Sequence, residues 1–460
     1  MSKRVMIAGT GSGCGKTTIT CALLSALVSM GNDVIAFKCG PDYIDPMFHK
    51  KAAGLESRNL DIFLMGEQGV RNSVARHAVN EKIAVLEGVM GLYDGLGNGS
   101  YASSNHVSLL TNTPVILIVS AKGTSLSICA EIKGFLEFER NNIRGLILNN
   151  VSEAMYPFYK RMIEERLNIS VIGFMPHIPD VHLESRHLGL VTADEITDIK
   201  EKLNILRDYA VRCIDLEALQ NIAGQAEQFE CRQNFLPAIK NDCSIKIYVA
   251  RDEAFCFCYE DNNDLFKWMG AEIEFFSPIH DRELPKDAAG IVLWGGYPEL
   301  YARALEENIS MKNSLKSAIE ADLPVYAECG GFRYLQQSLT DLDGKTYEML
   351  GVLPGNVKMT KKLQNFGYYE IEAKRDNLLC RAGGKINAHF FHHSVSNCEG
   401  DCFMAVKKSG VSFPCIAAKM NILAGCQHLH FWGNPDFALN FINCAEYYAT
   451  RKRSGLTLGG

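Results

Sequence analysis

Short, nearly unbroken apolar runs alternate with stretches of helical spacing along the first part of the chain. The runs read "RVMIAGT", "DVIAFKCG", "IAVLEGV", "PVILIVSA", "IRGLILNNV" and "ISVIGFMP", and helical patterns start at Lys16 and cover Ser125 to Phe138. Apolar runs of this length, rich in β-branched residues, are strands buried on both faces, and their alternation with helices predicts a parallel sheet. From 196 to 243 the chain becomes charged and helical, then runs into a loop with no strand pattern. A second strand-rich section opens at "SIKIYVA" and continues through "EIEFFSP", "GIVLWGGYPE" and "LPVYAE" to "KMNILAGCQHLHFWGNP" and a closing helix. The pattern predicts an α/β protein of two domains, 1–195 and 244–460, joined by a helical linker at 196–243.

Composition narrows the classes open to such a chain. At 460 residues it exceeds one ordinary core, as two domains require. With 47% hydrophobic and 22% charged residues and a net charge of −6, it is neither a disordered chain nor one with a basic surface for nucleic acid. No apolar stretch reaches the roughly 20 residues of a membrane span. Sixteen cysteines are scattered without a Cys-x-x-Cys pair, and the amino terminus leads straight into a strand pattern. Reduced thiols in a cytoplasmic protein are therefore expected, without a structural zinc or iron–sulfur site. Cys256 and Cys258 are expected on one strand, pointing to opposite faces.

Candidate chemistry gathers where strands end. "GTGSGCGKTT" follows the first run and opens a helix, the setting of a phosphate loop. Gly11, Gly13 and Gly15 let backbone N–H groups converge on phosphate oxygens, Lys16 reaches the terminal phosphates of ATP, and the Thr17 hydroxyl, with Thr18 beside it, is placed for Mg2+. Thr10 stands where the strict pattern has glycine, with Gly9 one place earlier. Two more stretches leave the same sheet edge, where open α/β sheets bind ligands. "FKCGPDYIDPMFH" carries Lys38, Asp42 and Asp45, and "VLEGVMGLYDG" carries Glu87 and Asp94. Read singly, each is ordinary turn chemistry. With Lys16 they point to ATP-dependent phosphoryl transfer, the carboxylates holding Mg2+ or steering an acceptor.

In the second section "VYAECGGFRYL" sets Cys329 between an apolar run and a helical pattern from Phe332 to Leu339. A strand-to-helix turn exposes a nucleophile, and Gly330 and Gly331 let a substrate carbonyl approach backbone N–H groups. The competing reading is a buried small hydrophobe, the usual fate of a free cysteine.

Taken in order, "GTGSGCGKTT", "FKCGPDYIDPMFH", "RNLD", "VLEGVMGLYDG", "ESRHLGLV", "VARDEAFCFCYEDN", "WGGYPE" and "AECGGFRYL" resemble, over nearly the full length, the cobyrinic acid a,c-diamide synthase family of cobalamin-pathway glutamine amidotransferases. The resemblance implies a dethiobiotin synthetase-like ATP-binding domain followed by a class I, triad-type glutamine amidotransferase domain. It implies that ATP phosphorylates the a- and c-side-chain carboxylates of cobyrinic acid. Ammonia, released from L-glutamine through a cysteinyl thioester, then displaces the phosphate.

By the same resemblance Cys329 is the nucleophile and His428, in "AGCQHLHF", its base. His430 is the fallback, since residues two apart share a strand face. Gly296 and Gly330 amides serve the oxyanion. Lys16 and Thr17 take phosphate and Mg2+, Glu87 is a Mg2+ ligand, Asp45 belongs to a substrate loop, Asp94 to the phosphorylation step and Asn149 to adenine. Two departures stand out. Phe390, in "AHFFHHS", replaces the family's glutamate, and Cys426 replaces the tyrosine before the base. No carboxylate to orient a histidine is legible there, and partial reliance on free ammonia is one expectation.

Two other readings compete. A related branch amidates Ni-sirohydrochlorin on the route to coenzyme F430. A P-loop switch ATPase would leave Cys329 and "HLHF" without work. A homodimer is compatible with each of the readings.

Overall fold

The computed structural model describes residues 3–79, 82–179, 181, 185–186, 189–190, 196, 198–231, 245–419 and 421–454. The chain forms two compact units, Met1–Ile62 with Gly66–Phe235, and Phe63–Met65 with Leu236–Gly460.

The apolar runs of the first unit become parallel strands: β1 (Lys3–Gly9), β2 (Val34–Cys39), β3 (Arg58–Leu60), β4 (Ile83–Glu87), β5 (Val115–Ser120), β6 (Ile143–Asn149) and β7 (Val171–Met175). Their order is β3-β2-β4-β1-β5-β6-β7. Helices α1 (Lys16–Ser29), α2 (Ile44–Ala53), α3 (Ile62–His77), α4 (Ser104–Leu110), α5 (Ser127–Glu137) and α6 (Tyr156–Leu167) follow the strands. The register sets Lys38 opposite Glu87 at the ends of β2 and β4, so a cation and a carboxylate emerge side by side at the carboxyl edge. Of the three-residue β3, only a fragment of the "RNLD" stretch, the sequence pattern gave no sign.

Two residue pairs, Ser185–Arg186 (β8) and Gly189–Leu190 (β9), form an antiparallel ladder. Residues 184, 187, 188 and 191 of "ESRHLGLV" lie outside the described residues. In the stretch read as a linker, α7 (Ile199–Cys213) and α8 (Leu216–Gly224) belong to the first unit. They bury Leu203, Leu206, Ala210 and Leu219, and Asp215 N donates to Ile172 O at 2.7 Å, tying their junction to β7. Residues 232–243 of that stretch are outside the described residues.

The second unit holds two sheets. Strands β10 (Ile245–Ala250), β11 (Ala271–Phe276), β12 (Ala288–Leu293) and β13 (Val325–Glu328) form, with the later β20 (Ala417–Lys419) and β21 (Ile422–Gly425), a sheet of order β11-β10-β12-β13-β21-β20. It is parallel except for its β20 edge. Helices α9 (Glu260–Trp268), α10 (Ala302–Glu307), α11 (Ile309–Glu320) and α12 (Gly330–Leu335) connect it. A mainly antiparallel sheet is built from β14 (Ser338–Thr340), β15 (Thr346–Glu348), β16 (Asn356–Ala373), β17 (Lys385–Ser396), β18 (Phe403–Val406) and β19 (Ser412–Cys415). The chain ends in β20 (Ala417–Lys419), β21 (Ile422–Gly425), β22 (Gln427–Leu429) and α13 (Pro435–Arg453), and β22 joins the antiparallel sheet beside β17.

Two local expectations are corrected. The helix after Cys329 ends at Leu335, short of Leu339. Gln336 is extended, anchored by its Nε2 to Cys398 O at 2.9 Å, and the chain turns into β14. Cys256 and Cys258 lie in a loop and not on a strand, because Asp252 Oδ1 accepts from the N–H groups of Ala254 and Phe255 and closes a turn. The cysteines of the described residues are free thiols. Among the described residues no helix is long and apolar enough to cross a membrane.

Candidate active sites

In the first unit the turn from β1 to α1 is held open by Gly13 and Gly15, whose φ angles of 76° and 97° favour glycine. An added Cβ at Gly15 would lie 2.2 Å from Asn149 Nδ2, while at Gly11 and Gly13 nothing stands within 4 Å, so those two border open space. Asn149 at the end of β6 donates from Nδ2 to Cys14 O at 2.8 Å and fixes the underside of the loop. Lys16, 8% exposed, folds back so that Nζ donates to Gly11 O at 2.8 Å. Its burial lowers the ammonium below the usual lysine range. Thr18 is half-buried in the first turn of α1.

Beneath the loop lies a knot of buried charge centred on Glu87. Thr17 Oγ1 donates to Glu87 Oε1 at 2.7 Å, Lys38 Nζ donates to the same oxygen at 2.9 Å, and His49 Nε2 meets Oε2 at 2.6 Å. Lys38 also pairs with Asp45 Oδ2 at 2.5 Å. Burial alone would push Glu87 up, but Lys38 and His49 outweigh it and hold the carboxyl below the usual range. Asp45, on the first turn of α2, goes the other way: burial and then Asp42 raise it against the pull of Lys38. Asp94 Oδ2 accepts from Gly91 N at 2.7 Å, and an added Cβ at Gly91 would touch both that oxygen and Thr10 O, so the carboxylate borders the loop.

The structure thus brings Lys16, Thr17, Glu87 and Asp45 together, with Asp94 and Asn149 at the margin. It adds His49, which the sequence reading left without a role although its spacing of four from Asp45 puts both on one face of α2. Thr17 Oγ1 and the Glu87 carboxylate are hard oxygen donors, a set that suits Mg2+.

In the second unit β13 ends at Glu328 and Cys329 caps α12 with φ 42° and ψ −97°, a conformation uncommon outside glycine. The turn is tight. Cys329 N donates to Gly425 O at 2.7 Å, and an added Cβ at Gly331 would lie 2.2 Å from Leu293 O. A Cβ at Gly330 would lie 2.9 Å from Gly296 N, so these two glycine backbones face each other beside the thiol.

Cys329 and His428 are hydrogen-bonded through their side chains. Arg333, one turn along α12, brings Nη2 to 3.4 Å from the sulfur and is held by Glu299 at 3.0 Å and Ser394 at 3.0 Å. Burial pushes the Cys329 thiol up, yet Arg333 and His428 overcome it and the thiol lies below its ordinary value. For His428 burial works downward, and the Cys329 and Glu328 charges raise it to about 9. His430 is fully buried, stacks on Tyr259 with ring centroids 5.1 Å apart, and is lowered by burial to about 3.

The two departures have structural explanations. Phe390 is 1% exposed and packs edge-on against Tyr369 and Phe413, both with centroids 5.3 Å away. Cys426 is buried, with its thiol raised by burial and then by the Glu399 carboxylate. The sequence reading missed two groups around the Cys329–His428 pair: Arg333, beside the sulfur, and Glu328, beside the imidazole. The spacing of four from Cys329 could have shown the first. The second immediately precedes Cys329, and strand alternation hides it.

Comparison with known proteins agrees with both halves. Residues 5–191 match the CobQ/CobB/MinD/ParA nucleotide binding domain, and residues 246–436 match the CobB/CobQ-like glutamine amidotransferase domain. A cobyrinate a,c-diamide synthase of Clostridium tetani is 42% identical over 95% of this chain and 98% of its own. Those of Clostridium acetobutylicum and Thermoplasma volcanium are 40% and 36% identical, over 96% and 98% of this chain and 100% and 99% of theirs. The chain belongs to the cobyrinate a,c-diamide synthase family.

Proposed function

We propose that the chain amidates the a- and c-side-chain carboxylates of cobyrinic acid, using ammonia from L-glutamine and the free energy of ATP. The observation that carries the reading is a single chain with a thiol–imidazole pair on a strand-to-helix turn and a phosphate loop backed by oxygen donors, matched over 95% of its length by a cobyrinate a,c-diamide synthase. Membership of the family makes it a carbon–nitrogen ligase with glutamine as amide donor.

In the second unit the Cys329 thiolate, whose proton His428 has already taken, attacks the side-chain amide carbon of glutamine. The Gly296 and Gly330 N–H groups receive the charge that develops on oxygen. His428 gives its proton to the departing nitrogen, ammonia leaves, and water hydrolyses the thioester to glutamate. In the first unit the amides of Gly11, Gly13 and Gly15, with Lys16 and Thr18, bind the phosphates of ATP. Thr17 and Glu87 would hold Mg2+, which neutralises phosphate charge when bound. Asn149 contributes to adenine recognition from its position beside Gly15. Asp45 and Asp94 steer the carboxylate acceptor. An acceptor oxygen takes the terminal phosphoryl group, ADP departs, and ammonia displaces phosphate at the acyl carbon with loss of a proton. The substrates are small molecules, no nucleic acid or membrane is required, and the setting is cytoplasmic.

Mass spectrometry of cobyrinic acid incubated with protein, Mg-ATP and glutamine tests this, beside a Cys329→Ala variant given glutamine or ammonium salt. Two amidations by the wild type, lost in the variant with glutamine and regained with ammonium, are expected. No mass change with cobyrinic acid, but amidation of Ni-sirohydrochlorin, would replace the substrate. No amidation of either would leave the switch ATPase.

A further inference from the structure

The hydrolytic centre contains one buried acid that the steps above do not use. Glu328, the last residue of β13, is 1% exposed. Its Oε1 accepts from the Tyr326 hydroxyl at 2.6 Å and from Leu429 N at 2.9 Å, while Oε2 lies 3.5 Å from His428 Nδ1. A carboxylate this deeply buried persists where donors and a cation answer it. Two donors are fixed on Oε1. The cation facing Oε2 is the imidazolium formed when His428 takes a proton.

Chain geometry explains how neighbours in sequence reach one ring. In a regular strand, residues 328 and 329 would point to opposite faces. The positive φ of Cys329 breaks the alternation where the strand stops, and both side chains then turn to His428. Leu429, directly after His428 on β22, returns the contact with its backbone N–H. The carboxylate is therefore locked to the strand that carries the base.

We infer that Glu328 is the positioning carboxylate of the glutamine-hydrolysing centre, holding His428 by Nδ1 so that Nε2 is presented to the Cys329 thiol. The inference rests on the reading of Cys329 and His428 as nucleophile and base. When the thiol proton moves to Nε2, the Nδ1–H of the resulting imidazolium faces Glu328 Oε2 and the proton stays on the ring. Glu328 touches neither glutamine nor the thioester and acts through His428. Among the described residues, the other charged or titratable groups around that ring include Cys329, with Arg333 of α12 beside its sulfur, and His389 and His392 of β17. Phe390, where the sequence reading looked for the acid, is core.

The test uses the full chain with Glu328→Gln, which keeps size and removes charge, and Glu328→Asp, which keeps charge and withdraws it from Nδ1. Three quantities are read: kcat and KM for glutamine hydrolysis, the rate of amidation driven by ammonium salt, and the pH profile of Cys329 alkylation by iodoacetamide. The expected result for Glu328→Gln is a kcat lowered about 100-fold, an unchanged KM and ammonium-driven rate, and an alkylation profile moved to higher pH. Glu328→Asp is expected to fall between this variant and the wild type, which keeps the test decisive if Glu328→Gln does not fold. A kcat within about twofold of wild type in either folded variant, with the alkylation profile unmoved, overturns the inference. Absence of glutamine hydrolysis in the wild type itself would overturn the reading beneath it, and the inference with it.

Discussion

Lys38 stands between two carboxylates, 2.9 Å from Glu87 and 2.5 Å from Asp45. The sheet register makes the first contact and the turn into α2 makes the second. The segment that carries Asp45 and the phosphate loop are therefore joined through one ammonium group, since Glu87 also accepts from Thr17.

Removing the charge at the centre of this knot leaves Lys38 with Asp45 as its one remaining carboxylate and takes from His49 its acid partner. Glu87→Gln breaks the buried pairs with Lys38 and His49 and is expected to lower folding stability by about 3–5 kcal/mol. Urea or thermal unfolding of the nucleotide-free protein reads the effect, and a change below about 1 kcal/mol would contradict the picture.

Thr17→Val removes a hydroxyl and keeps the shape. It is expected to slow amidation from both glutamine and ammonium about 100-fold or more, to raise the Mg2+ concentration needed for half-maximal rate, and to leave glutamine hydrolysis intact. A magnesium titration of ammonium-driven amidation checks it.

Arg333 gives the thiol a specific pH signature. Cys329 is held below its ordinary value, so its thiolate forms at lower pH than that of an ordinary thiol and is lost as pH falls through that lowered value. His428, raised to about 9, carries its proton across the same window and loses it as pH rises through about 9. The stability this imidazolium contributes is complete below the unfolded histidine value near 6.5 and disappears by the alkaline end. Arg333→Met is expected to move the iodoacetamide profile of Cys329 to higher pH. An unmoved profile would show that the guanidinium does not act on the sulfur.

Phe390 invites a tempting repair. Phe390→Glu restores the acid that the family resemblance leads one to expect, yet it would bury a carboxylate among Tyr369 and Phe413. A loss of about 3–5 kcal/mol with no gain in glutamine hydrolysis is expected, measured by thermal unfolding and by glutamate release.

The parallel strands were legible because a strand covered on both faces needs one side-chain character throughout, as "VILIVS" of β5 shows. β16 was not. Its "KMTKKLQNF" stretch is largely solvated, with Lys361, Lys362 and Phe366 exposed, so no apolar period emerges. The phosphate loop was legible because lysine, threonine and glycines serve it through local spacing. Glu328 was hidden for the opposite reason: its partner His428 lies far along the chain, and a backbone angle, not a motif, turns it toward that ring. Asn149 was noticed, but its bond to Cys14 O depends on how β6 meets the loop, which no local pattern encodes.

The φ of 42° at Cys329 also sets folding against turnover at a single residue. A non-glycine residue in such a region costs roughly 1–3 kcal/mol, a penalty glycine does not incur. Cys329→Gly should therefore melt above Cys329→Ala, although neither hydrolyses glutamine. The residue this turn would tolerate best is therefore one the proposed chemistry could not use, and the thiol occupies the position at a cost in durability.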